Sequence, residues 1–238
     1  LVALRAGGVR VHVRDAELYG WRKLLVAARV WSPDRKRWQT RFRLGGEAFA
    51  ARSARARAGV RALPDRPDAY LQIGATFRPA GAPYFLYCDW NARVAERFAT
   101  SGQSPVNHLR AAEQAAIDAR ETAIYQGASA IFTISERLRA SFVTDYGVAP
   151  ERVVVAYPGP NMDAAAIPVR GARRAGAPPT VLFVGKEFAR KGGDVLLAAF
   201  ARVRERLPDA RCVIVGPSDI GAVPAGVELL GPLRKDDP

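Results

Sequence analysis

Two lysines enclose a glycine-rich segment in the last quarter of the chain. Lys186 follows an apolar run that ends at Val184, and Lys191 precedes Gly192 and Gly193, where a helical pattern begins. The free amides of a helix start carry partial positive charge, and two ammonium groups beside them suit a diphosphate. The segment is not a Walker A loop, because no serine or threonine follows Lys191 to hold Mg²⁺. We predict a phosphate site here, with a solvated basic turn as the alternative.

The choice of lysine at both positions is informative because the chain is rich in arginine. Only five of its 36 basic residues are lysines. They are Lys23, Lys36, Lys186, Lys191 and Lys235. A single arginine therefore carries little information in this sequence, whereas two lysines in one loop do.

A strand–helix–strand pattern positions the loop. The sequence predicts strands over 180–184, 211–215 and 227–230, and a helix over 194–207 with apolar residues at spacings of three and four. Two strands joined by a helix in short succession imply a parallel sheet. We therefore expect an α/β fold for this part of the chain.

The preceding part is predicted to be mixed α/β as well, with a helix opened by Ser135 and Glu136 and ended at Gly147. Predicted strands cover 9–13, 68–74, 83–88, 130–134 and 153–156, and predicted helices cover 47–63 and 105–125. Residues 164–179 are rich in alanine, glycine, proline and arginine, without an apolar period. We therefore predict a first domain over 1–165, a linker over 166–179 and a second domain over 180–238.

Two stretches resemble the family 4 retaining glycosyltransferases. The run VLFVGK, four residues, KGGDVLLAAF and then LPDARCVIVG is similar to the start of that family's C-terminal domain. GASAIFTISE, followed by YGV and VVVAYPG, is similar to the end of its N-terminal domain. The resemblance is specific over 127–238 and fainter over 1–126, where residues 68–89 carry most of it.

The resemblance implies a GT-B fold, with two Rossmann-like domains facing a cleft and the second domain truncated. It implies transfer of a sugar from a nucleotide-sugar donor to a glycan or lipid-linked acceptor, with retained configuration and no metal or other cofactor. The first domain's glycine loop and the glutamate pair that meets the donor sugar are absent from the sequence. We therefore expect a fragment that lacks both ends.

The resemblance also assigns residues. Lys186 and Lys191 match the family's basic positions, where they act in catalysis by neutralising the donor diphosphate, and Gly192 lies beside them. Asp89 follows an apolar strand where many relatives place a polar cleft residue, and could orient or deprotonate an acceptor hydroxyl; a cap on the next helix is the alternative. The positions expected beside the nucleotide are Gly185, Gly216, Gly231 and Leu233.

Two alternative functions stay open on the sequence. A GT-B epimerase or phosphorylase would share the same motifs. A nucleic-acid-binding protein is the alternative from another class, because residues 1–60 contain fourteen arginines and lysines against four acidic residues. Trp21, Trp31 and Trp38 lie among those charges.

Composition and charge narrow the expected location. A hydrophobic content of 49% favours a globular protein over a disordered one. The longest uncharged stretch, 122–135, is too short to span a bilayer, and Cys88 and Cys212 are too far apart in sequence for a disulfide framework or a zinc motif. We expect a cytoplasmic protein. A basic surface that binds the inner face of an anionic membrane is further predicted by the cluster Arg35, Lys36 and Arg37 and by Arg52, Arg55, Arg57 and Arg61 of the helix over 47–63. A solvated helix face is the alternative.

Overall fold

The computed structural model of the protein describes residues 2–97, 106–159 and 176–233. The chain divides into two compact units between Asn161 and Met162. That division lies outside the described residues, as does most of the predicted linker over 166–179, so the predicted domain limits stay predictions. We call the parts on either side the first unit and the second unit.

The first unit begins with four helices and continues as a parallel α/β sheet. The helices before the sheet are α1 (Val2–Ala6), α2 (Gly20–Arg29), α3 (Arg35–Leu44) and α4 (Gly46–Arg61). The sheet contains β1 (Tyr70–Ile73), β2 (Tyr84–Cys88), β3 (Ala130–Thr133) and β4 (Val153–Val155). Its helices are α5 (Ala92–Arg97), α6 (Ala111–Gly127) and α7 (Glu136–Thr144). The strands are all parallel and lie in the order β1-β2-β3-β4.

The core of the first unit lies between this sheet and helices α6 and α7. Leu86 and Ile131 supply its sheet side and are fully buried. Tyr125 packs edge-on against both Phe142 and Tyr146, with ring centroids 4.8 Å apart in each pair. Such edge-to-face contacts add to the free energy gained from burying the rings. These ring contacts join α6 to α7 and to the turn that follows α7.

Three details of the first unit differ from the sequence predictions. The predicted strand over 9–13 is wrong: the segment pairs with no strand, and Val9 and Val13 are half exposed. Helices α2 and α3 were not predicted. Helix α6 begins at Ala111 rather than near residue 105, because the carboxylate of Glu113 accepts a hydrogen bond from the backbone N–H of Arg110 (2.8 Å) and fixes the helix start there.

The second unit is a strand–helix–strand repeat, as predicted. It contains β5 (Thr180–Val184), α8 (Gly193–Arg206), β6 (Arg211–Val215) and β7 (Val227–Gly231), with three parallel strands in the order β5-β6-β7. Phe200, Cys212 and Ile214 form its buried core. Both units are thus α/β with parallel sheets, which confirms the predicted fold class.

Two of the four arginines that the sequence predicted to form a basic surface on α4 are engaged by the fold. Arg52 is 5% exposed and forms an ion pair with Glu17 (2.9 Å). Arg55 donates to the backbone carbonyl of Asp15, and Phe49 is packed beneath Arg120. Arg57 and Arg61 of the same helix are exposed. The membrane surface on this helix therefore stays a prediction, in which Arg52 and Arg55 are already engaged by neighbouring segments. Within the described ranges, no helix is both long and apolar enough to cross a bilayer.

Candidate functional site

The loop between β5 and α8 places both predicted lysines beside one sheet edge. Strand β5 ends at Val184, and Gly185 and Lys186 follow it. A single 3₁₀ turn (Ala189–Lys191) then leads to Gly192, which has a left-handed backbone (φ +80°) and opens α8. A side chain is rarely tolerated in that conformation, so glycine is required at this turn.

The glycines predicted beside a nucleotide lie together at the carboxyl ends of the three strands. The backbone N–H of Gly185 donates to the carbonyl of Val215 (2.9 Å), and that of Gly216 donates to the carbonyl of Gly231 (2.8 Å). Gly216 has φ +118°, and a Cβ there would lie 2.7 Å from the carbonyl carbon of Gly185. This edge is thus bare backbone, at the position where open parallel sheets bind ligands.

The charge of neither lysine of the loop is neutralised by an ion pair among the described residues. Lys186 and Lys191 are both exposed, and neither has an ion-pair partner among the residues that the structure describes. The carboxylate within the loop, Glu187, is bound by Arg190 through a 2.7 Å hydrogen bond. That hydrogen bond holds the pKa of Glu187 below its ordinary value, and the two lysines lower it further by their charge. Two cations therefore stay available to an anionic ligand.

The side chain of Lys191 reaches back to the sheet edge. A Cβ placed on Gly185 would lie 3.2 Å from the Cγ of Lys191, so the lysine stem lies over that glycine. No side chain caps the start of α8. Gly193, the first helical residue, is fixed by its N–H bond to the carbonyl of Phe188 (2.9 Å), and a Cβ there would overlap the ring of Phe188. The lysines, the uncapped helix start and the bare sheet edge thus form one continuous basic site.

The other two predicted positions are exposed. Leu233 follows β7 and is 57% exposed. Asp89 follows β2 in the first unit and is exposed, and it forms no hydrogen bond or ion pair among the described residues. The alternative in which Asp89 caps α5 is wrong. The cap is Asn91, whose side-chain oxygen accepts from the backbone N–H of Val94 (2.8 Å).

A buried polar cluster in the first unit was missed by the sequence analysis. Glu121 on α6 accepts hydrogen bonds from the hydroxyl of Tyr146 (2.8 Å) and the backbone N–H of Ala92 (2.9 Å). Burial raises its pKa, despite these hydrogen bonds. Asn91, fully buried, donates to Ser141 (3.1 Å). The partners are 25 to 50 residues apart in sequence, so no local spacing could have revealed them.

No metal site is evident in the described part of the chain. No cluster of three or more histidine, cysteine, aspartate or glutamate side chains is arranged to hold a metal ion there. The cations beside the sheet edge are lysines. Ammonium groups can balance the charge of a diphosphate directly.

Comparisons with known proteins do not assign this chain to a family. No protein-family model matches the chain, and no curated protein does so either. One solved structure that is similar is a crystal structure described as an analysis of the glycotransferase of kitacinnamycin, at 18% sequence identity and a TM-score of 0.42. The match covers 78% of this chain and 54% of that one, so this chain spans about half its length. A TM-score of this size is too low to establish a shared fold, and the evidence for the fold class is the parallel sheets themselves.

Proposed function

We propose that the protein is a glycosyltransferase that uses a nucleoside-diphosphate sugar as its donor. The observation that supports this most directly is the basic site of the second unit. There, Lys186 and Lys191 have no ion-pair partner in the described part of the chain and lie beside an uncapped helix start and a bare sheet edge. The sequence resemblance to family 4 glycosyltransferases over 127–238 agrees with it.

The chemistry of the transfer explains why cations would be placed there. When a sugar leaves its donor, the bond between the anomeric carbon and the diphosphate oxygen breaks, and that oxygen keeps the electron pair. An acceptor hydroxyl forms the new bond and gives up its proton. Lys186 and Lys191 would stabilise the developing charge on the diphosphate, which a fixed cation does more effectively than mobile solvent.

The finer parts of the proposal follow from the resemblance. We propose that the configuration of the sugar is retained, that no metal is required, and that Gly185, Gly216, Gly231 and Leu233 border the nucleotide. Asp89 is the proposed group that orients or deprotonates the acceptor hydroxyl. Its exposure and its lack of a hydrogen-bond partner among the described residues leave it accessible for that role.

Calorimetric titration tests the donor site before any acceptor is known. Nucleoside diphosphates should bind the protein, whereas the matching nucleosides should bind far more weakly because they have no phosphates. Lys186→Ala and Lys191→Ala should each weaken nucleoside-diphosphate binding about tenfold. Arg202→Ala is the matched control, since it removes one positive charge from an exposed position on α8.

The outcomes separate the proposal from its alternatives. Equal binding of nucleosides and nucleoside diphosphates, or full binding by both lysine variants, would refute the donor assignment. With a nucleotide sugar and an acceptor mixture, a glycosyltransferase releases nucleoside diphosphate only when a new glycoside forms. An epimerase would change the sugar and leave the donor bond intact, and a phosphorylase would consume inorganic phosphate.

A further inference from the structure

A groove between α2 and α3 in the first unit lies outside the proposed donor site. Its volume is about 470 Å³, within the range of sites for small organic ligands. Helix α2 contributes Lys23 and Ala27, and His108 closes one side. Helix α3 contributes Lys36, Trp38, Gln39, Thr40, Phe42 and Arg43.

The charged lining of this groove is entirely basic. Lys23, Lys36 and Arg43 line it, no carboxylate does, and none of the three has an ion-pair partner within the described ranges. Asp34 interacts with His108 by its charge, but its carboxylate is engaged by the backbone amides of Lys36 and Arg37 at the start of α3, and the hydrogen bond from Arg37 lowers its pKa. The groove therefore favours an anion.

A second carboxylate near α3 is also occupied. Glu113 forms ion pairs with Arg37 (3.0 Å) and Arg41 (3.2 Å), which are absent from the groove lining. Two of the five lysines of an arginine-rich chain line this groove, and two others flank the proposed donor site. Four of the five lysines therefore lie at the groove or at the proposed donor site.

Apolar side chains form part of the remaining lining, beside the polar Gln39, Thr40 and His108, and continue on the adjoining surface of α2. The indole N–H of Trp38 donates to the carbonyl of Ala27 (2.8 Å), which fixes the ring as part of the wall, and Phe42 lies on the same helix. On α2, Leu24 is 70% exposed and Trp21 is 68% exposed. Leu24 is adjacent to Lys23 and lies three residues before Ala27, so this exposed apolar face continues from the α2 wall of the groove.

We propose that the α2–α3 groove binds an anionic amphiphile: a phosphate monoester whose head lies among Lys23, Lys36 and Arg43 and whose hydrocarbon tail lies along Trp38 and the Leu24 face. A free anion would leave the apolar surface uncovered, and an uncharged lipid would leave three cations unpaired. A ligand with both parts satisfies both observations. This site does not depend on the proposed glycosyl transfer.

Titration of the chain with octyl phosphate, below its micelle concentration, tests the proposal. Tryptophan fluorescence and calorimetry should both report saturable binding. Octanol and inorganic phosphate, which carry the tail alone and the head alone, should each bind at least about tenfold more weakly. Equal binding of octanol would exclude the anionic head site, and equal binding of inorganic phosphate would exclude the apolar part.

Variants locate the binding. The double variant Lys36→Ala/Arg43→Ala should weaken octyl phosphate binding about tenfold. Arg57→Ala/Arg61→Ala is the charge-matched control, since both arginines are exposed on α4 and absent from the groove, and it should bind like the unaltered protein. Leu24→Gln should reduce the gain in affinity from butyl to octyl phosphate. If the double variant and its control bind equally, the proposed site is wrong.

Vesicles distinguish the two sources of such a ligand. If the natural ligand is a bilayer lipid, the protein should co-sediment with phosphatidylcholine vesicles that contain phosphatidic acid and should stay in solution with pure phosphatidylcholine. The Lys36→Ala/Arg43→Ala variant should then stay in solution with both. If the protein binds octyl phosphate but does not co-sediment with the vesicles, the natural ligand of the groove is a soluble phosphate ester. Failure of both assays overturns the proposal while leaving the donor site untouched, because neither assay uses a nucleotide.

Discussion

The two units differ in the burial and pairing of the polar residues near the carboxyl edges of their sheets. In the first unit, Asn91 follows β2, is fully buried and caps α5, and Glu121 completes the same helix start. In the second unit, Lys186 and Lys191 follow β5, are exposed, and bind no partner among the described residues. In the first unit the helix start after β2 is closed by buried side chains, with Asp89 left exposed beside it. In the second unit the edge after β5 is open.

The difference separates structural polar groups from functional ones. Glu121 has the shifted pKa that is often taken as a mark of an active site, yet its hydrogen bonds go to a helix start and a core tyrosine. The ammonium groups of the two lysines form no ion pair among the described residues. Unpaired charge beside bare backbone is therefore the better guide to a ligand site here.

The largest expected effect concerns the open edge. Lys186→Ala and Lys191→Ala should each lower kcat/KM for glycosyl transfer by about 100-fold, because the charge on the leaving diphosphate is no longer neutralised. The melting temperature should stay unchanged, since neither side chain is paired. Steady-state kinetics and thermal denaturation measure the two quantities. Normal turnover in both variants would show that the open edge is not the donor site.

A smaller effect is expected at the closed edge. Glu121→Ala should lower the free energy of unfolding by about 2 kcal/mol, because the amide of Ala92 and the hydroxyl of Tyr146 lose their buried acceptor. Urea denaturation measures this change. Nucleoside-diphosphate binding should stay normal in the folded variant, and a loss of that binding would contradict the division between the two edges.

The same carboxyl makes stability depend on pH. Burial raises the pKa of Glu121 in the folded state, so the folded protein binds a proton more readily than the unfolded chain does. Its contribution to stability is therefore fully present below the unfolded pKa and is lost as the pH rises through the folded pKa. Glu121→Gln should remove this part of the pH dependence of the unfolding free energy. An unchanged pH profile would show that Glu121 does not titrate in this way.

Two neighbouring residues give a finer comparison. Asn91→Ala should cost about 1 kcal/mol of stability through the lost cap, whereas Asp89→Ala should cost almost nothing, because Asp89 is exposed and forms no hydrogen bond within the described ranges. Denaturant unfolding of both variants measures the contrast. Equal losses would mean that Asp89 also supports the helix start.

Removal of metal ions is expected to have no effect on activity. Excess EDTA should leave glycosyl transfer unchanged, since the proposed cations at the diphosphate are lysines. A transfer assay before and after chelation measures this. Activity that disappears with EDTA and returns with Mn²⁺ or Mg²⁺ would refute the proposed role of the lysines as replacements for a metal.

The secondary structure of the second unit was predictable because each element is marked by residues close together in the sequence. Apolar runs such as 180–184 and 211–215 are bounded by glycine and proline, and an amphipathic helix joins them. The prediction of a strand over 9–13 was wrong, because five residues of alternating polarity form a strand only where a neighbouring strand is available to pair with them. The Glu121 cluster was unpredictable since its members come from α5, α6 and α7. The open edge was found from sequence because its two lysines lie in one loop.

The two cysteines give each unit its own reporter of opening. Cys88 lies in the first unit and Cys212 in the second, and both thiols are free and fully buried. Burial raises the pKa of Cys88 to about 12 and also raises that of Cys212, so neither forms a reactive thiolate while its unit is closed. Alkylation must therefore await local unfolding. In one alkylation time course, the peptide that contains Cys88 and the peptide that contains Cys212 would thus report the local-unfolding rate of each unit. No engineered probe is needed.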